Sequence, residues 1–152
     1  MSHKSPAIAK RIAHLQGRKQ PAHLLGWLEC FNTGEFYEAH DVLEDLWLEE
    51  RETPNADFYK GLIQLAGAFV HLKMHEHPDY PKAGPRLRPA AKLLKLARDK
   101  LKPFNPAPHD FDQLAAIELI QHWLSLLKTG EFRINPLSTE PPPHLALQPD
   151  TG

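Results

Sequence analysis

GLIQLAGAFVHL, residues 61–72, is the stretch that decides the fold. Its strongly polar side chains are Gln64 and His71, and a helix that is apolar nearly all round must lie at the centre of a helical protein. Seven positions apart, Gln64 and His71 fall within about 20° of each other on a helix surface. A buried amide or imidazole without a partner costs about 1 to 3 kcal/mol, so this polar column requires partners on a neighbouring helix.

Punctuation on either side divides the rest of the chain. Thr53 and Pro54 open the central helix, and Pro78 must end it because the residue before a proline is pushed out of the helical region. Upstream, Ser5 and Pro6 start a short first helix that stops at Gly17, and Pro21 opens a second carrying Leu24, Leu25, Leu28 and Phe31. Asn32 with Glu35 has the spacing of a capping box, which predicts a third helix over 35–50. Downstream, either Gly84 with Pro85 or Arg88 with Pro89 starts a fifth helix, whose regular part is predicted from Pro89 to about Leu101. Asp110 with Gln113 caps a sixth. No segment alternates as a strand does, so the fold class is all-α. The expectation is a compact single-domain bundle of five to six helices over 21–135, with an N-terminal helical extension (1–20) and a Pro-rich, extended, mobile tail (136–152).

The third helix supplies the partners. A short connection through Thr53 makes it the antiparallel neighbour of the central helix. At about 100° per residue, His40 points toward the core between Leu43 and Trp47, with Glu44 and Tyr37 beside it. His40, Glu44, Gln64 and His71 are therefore expected to form a buried polar constellation between the two helices, with Tyr37 and Trp47 close by. Two readings stand. One is a hydrogen-bond network that fixes the register of two helices. The other is a metal centre with His40, Glu44 and His71 as ligands, a donor set suited to zinc, manganese or iron. The centre would activate a water for hydrolysis, and catalysis would fall to Glu44 together with Gln64 or Tyr37 as hydrogen-bond donors to substrate. His75 is read as complementing the helix dipole rather than as a fourth ligand. His3, His14, His23, His109 and His144 read as solvated, and His122 as packed.

Composition narrows the function classes. The chain has 152 residues, with 18 Lys and Arg against 19 Asp and Glu and a net charge of -1, which argues against a whole-domain nucleic-acid footprint. The charge is nevertheless segregated. Acids crowd the third helix, whereas Arg88, Lys92, Lys95 and Lys102 form a stripe on the fifth that reads as a solvated face or a docking site for an acidic partner. The single Cys30 excludes a disulfide framework and reads as a buried hydrophobe. No apolar run reaches a membrane span, and a cytoplasmic location is expected. A partner would be a small molecule or a protein, and a homodimer suits a small helical chain.

FNTGEFYEAHDVLEDLW (31–47) followed by FYKGLIQLAGAFVHL (58–72) resembles the family called domain of unknown function 309. The resemblance implies an all-α bundle. Glu35, Glu38, His40, Glu44, Trp47 and Gln64 match the family pattern, with His71 at a compatible position. Members are sometimes described as predicted metal-dependent hydrolases, which is what the resemblance implies for function. The chain departs from the pattern in the long connection from His77 to Pro89 and at Asp41, where glutamate is common.

Overall fold

A computed structural model of the chain describes residues 5–75, 77 and 85–149. Among these residues lie six α-helices: α1 (Ser5–Arg11), α2 (Ala22–Asn32), α3 (Phe36–Glu49), α4 (Ala56–Met74), α5 (Leu87–Leu101) and α6 (Gln113–Thr129). No strand occurs among them; one isolated antiparallel bridge joins Phe111 to Leu147. His3, residues 78–81 and Gly84 lie outside the described residues.

Helix α4 is central, as its sequence requires. Phe58, Leu62, Leu65, Ala66, Phe69 and Leu72 have no exposed surface. Helix α3 packs on one side of α4 and α5 on the other. From α2, Trp27 Nε1 donates to the Leu62 carbonyl at 3.2 Å, so a polar tip is satisfied without breaking the apolar layer. Phe69 meets Trp123 of α6 edge to face at 4.9 Å. Helices α4 and α5 approach closely at Gly61, where an added Cβ would stand 2.9 Å from Leu101 Cγ.

Several helix boundaries differ from the sequence reading, each for a local reason. Asn32 and Glu35 form no capping box. Gly34, at φ 80°, instead closes α2, with Glu35 N–H donating to the Cys30 carbonyl and Gly34 N–H to that of Phe31. Asp110 does not cap α6; Asp112 does, accepting from Ala115 N–H at 3.1 Å. Gln113 turns inward and donates to the Leu101 and Lys102 carbonyls. Helix α4 is capped at its start by position 55 rather than Thr53, and its last helical residue is Met74. Pro89 sits inside the first turn of α5, where its missing N–H would have had no helical partner anyway.

The segment after Asn135 opens with a 3-10 turn over Pro136–Ser138, and over 141–149 it lies docked on the bundle rather than free. Asn32, the last residue of α2, clamps the tail backbone with both ends of its amide. Its Nδ2 donates to the Leu145 carbonyl at 2.7 Å, and Leu145 N–H donates to its Oδ1 at 2.9 Å. Leu145 is buried, and Gln148 N–H donates to the Asp110 carbonyl. Few large apolar residues were needed, because one buried leucine and a side-chain clamp hold the strand-like segment. His14 and His23, expected to be solvated, pair with Glu29 and Asp45. His109 stacks on Tyr59 and meets its hydroxyl at 3.1 Å, and His122 is exposed rather than packed.

Candidate functional site

Helix α4 is buried on all sides but one. Lys60, Gln64, Gly67, His71 and Met74, at helical spacing, are only partly covered and form the floor of a face left open between α3 and α5. Tyr37, His40, Glu44 and Trp47 of α3 edge it on one side; Arg86 and Leu93 edge it on the other. The sequence-predicted residues thus share one face. They do not share one point, and none of the residues expected to be buried is: His40 and Glu44 of α3 and Gln64 and His71 of α4 are only partly covered, because the face between α3 and α5 is open.

His40 Nδ1 lies 3.2 Å from Asp41 Oδ1, which assigns the ring proton to Nδ1. Its Nε2 is left 4.0 Å from Glu44 Oε2. These three side chains have the form of a carboxylate, a histidine and a second carboxylate in series, the arrangement that orients an imidazole toward a cation. His71 is engaged elsewhere. Arg86 Nη1 donates to its Nδ1 at 3.0 Å, and a guanidinium has only protons to give, so the ring proton of His71 sits on Nε2. Burial first, and Arg86 second, hold the His71 pKa below its ordinary value and keep the ring neutral. Gln64 Oε1 is buried without a hydrogen-bond partner, as is Arg86 Nε. Tyr37 is 58% exposed and stacks on His40. Trp47 lies under the Lys60 ammonium, 4.5 Å from the ring centroid, and Arg51 approaches the same ring.

A metal held by His40, Glu44 and His71 does not fit this arrangement. His71 could lend Nε2 to a cation only by moving its proton to Nδ1, where the Arg86 guanidinium already donates. Among the described residues, no group of three or more His, Cys, Asp or Glu side chains converges as a metal site. The network expected between the helices is also only partial, since Gln64 joins neither His71 nor Glu44.

Sequence reasoning missed Arg86, because the residue that pins His71 lies across a long connection and on a different helix. Arg86 also reaches His75, whose Nδ1 accepts its backbone N–H at 2.9 Å, so both histidines are tied to the start of α5. It missed as well an open cleft of about 480 Å³ where α3 begins and α4 ends. Phe36, Tyr37, Val70 and Met74 supply its apolar walls, and Glu38, Lys73 and His77 its polar lining. The signal available was the pair Phe36 and Tyr37, of which only one can point inward. Phe36 is buried and Tyr37 is not.

These features define a class: an all-α helical domain with a central apolar helix and one open, charged face. Residues 24–80, which take in most of α2 and all of α3 and α4, match the family model described as Domain of unknown function (DUF309), so this part of the chain is similar to that family. No curated protein and no solved structure matches the chain.

Proposed function

We propose that the chain is a noncatalytic helical interaction protein that docks a basic, amphipathic protein segment on the α3 side of its open face. The observation that carries this reading is the cleft beside Tyr37, a large exposed aromatic at the mouth of an apolar recess. Exposed aromatics of this kind carry a disproportionate share of binding energy in protein interfaces. Charge sets the sign of the partner. From 35 to 50 the chain carries Glu35, Glu38, Asp41, Glu44, Asp45, Glu49 and Glu50, and no Lys or Arg. Such a helix attracts cationic segments and repels acidic ones, while Tyr37 and Leu48, 58% and 39% exposed, offer apolar anchors along the same helix.

The metal-dependent hydrolase reading rests on the family resemblance, and its donor set does not converge here. A direct test of the docking reading titrates the protein with two synthetic helical peptides, one of Leu and Lys and one of Leu and Glu at the same spacing. Selective binding of the Lys peptide, weakened about tenfold by Tyr37→Ala, is the expected result. Equal affinity for both peptides, or for neither, overturns the reading.

A further inference from the structure

The partner chemistry just described, a basic amphipathic helix, is present in the chain itself. Helix α5 with its flanks carries Arg86, Arg88, Lys92, Lys95, Arg98, Lys100 and Lys102 against the single acid Asp99. Arg98 meets Asp99 and Lys100 meets Asp57, whereas Lys92 and Lys95 are exposed and meet no carboxylate among the described residues. Leu96, 39% exposed and one turn beyond Lys92, is the apolar element of the same surface. We propose that the chain pairs with a second copy of itself, α5 of each copy lying on α3 of the other. This inference rests on the docking reading and names its partner.

The topology favours this pairing. Helices α3 and α5 each run antiparallel to α4, so they are parallel to one another on opposite sides of it. A two-fold axis directed along the open face of α4 exchanges the two sides, placing α3 over the partner's α5 and α5 over the partner's α3. The contact closes on itself and leaves no free end for a chain of copies. A two-fold axis across α4 would instead set α3 on α3, carboxylates against carboxylates, and is disfavoured by repulsion.

The levels along α4 also agree. Tyr37 lies beside Val70, and Lys60 beside Trp47, which fixes α3 against α4. Gly67 faces Leu93 and Gly61 faces Leu101, which fixes α5. Under the first axis, Asp41 and Glu44 come within about one helical turn of the level of Lys92 and Lys95, twice in the symmetric pair, with Lys92 on the flank of α5 nearer the open face and Lys95 on its outer side. The near balance of 18 cationic and 19 anionic side chains means that two copies do not repel at long range.

Sedimentation velocity on the full chain tests the inference, with two variants whose folding is checked by circular dichroism. One is Asp41→Lys with Glu44→Lys; the other is Lys92→Glu with Lys95→Glu. The wild type is expected to dimerise, with its dissociation constant rising at least tenfold between 0.05 and 0.5 M salt, roughly the range over which exposed charges become screened. Each variant alone should be monomeric, and an equimolar mixture of the two should dimerise, since each restores the opposite charge to the other. A wild type that stays monomeric while still binding the Leu and Lys peptide overturns the second copy and leaves the docking reading standing. A wild type that is monomeric and binds neither peptide overturns both. A dimer insensitive to salt and to both variants places the contact elsewhere and also overturns the inference.

Discussion

His71 is kept neutral by its burial and by the guanidinium of Arg86, and its titration should report both. With Arg86→Gln, the His71 pKa followed by NMR should rise but remain below the ordinary 6.5, because burial is the larger cause. The sign for stability follows. Above 6.5 the ring is neutral in folded and unfolded chains alike, and its contribution is fully present. As the pH falls through that value the unfolded chain takes up protons first, so stability declines until the folded ring titrates too. Denaturant midpoints measured from pH 8 to pH 5 should therefore fall, and the His71→Gln variant should fall less. Cys30 gives a second test at this scale. Burial pushes its thiol up to about 11, so at pH 8 only about one molecule in 1,000 carries a thiolate. Alkylation of native protein should be far slower than of protein in denaturant; equal rates would show that the site is open.

Between elements, two glycines of α4 make opposite predictions. A Cβ at Gly61 would meet Leu101 Cγ at 2.9 Å and Lys100 Cβ at 3.1 Å, so Gly61→Ala should cost about 1 to 3 kcal/mol and lower the thermal midpoint. At Gly67 the nearest atom is Leu93 Cδ1 at 3.4 Å, the far end of a side chain, so Gly67→Ala should be neutral or gain up to about 1 kcal/mol in helix propensity. Asn32→Ala should release the tail, seen as faster hydrogen exchange at Leu145 and earlier proteolysis there, with helical content unchanged. Elements of this kind were readable from sequence to different depths. The apolar run of 61–72 marks α4 because nothing but a central helix hides it. Asn32 misleads because capping-box spacing is local, whereas its clamp partner Leu145 is distant in the chain. His40 and Glu44 were placed together correctly, since a single helix turn separates them. His71 was not, because Arg86 competes for it and no period in the sequence connects the two.

For the whole molecule, the open face of α4 decides between a docking surface and a metal centre. The acidic α3, the basic α5 and the cleft at Tyr37 all border that face, and so do His40, Glu44 and His71. The measurement that separates the readings most directly is metal content by mass spectrometry, on tag-free protein purified without chelator and then loaded with zinc, manganese or ferrous iron. It should be run beside a folded His40→Ala, His71→Ala double variant. The expected result is metal well below one equivalent, and no difference between wild type and variant. Near-stoichiometric metal in the wild type that is lost in the variant would contradict the docking reading, because it would require His71 to leave Arg86 and join His40 and Glu44.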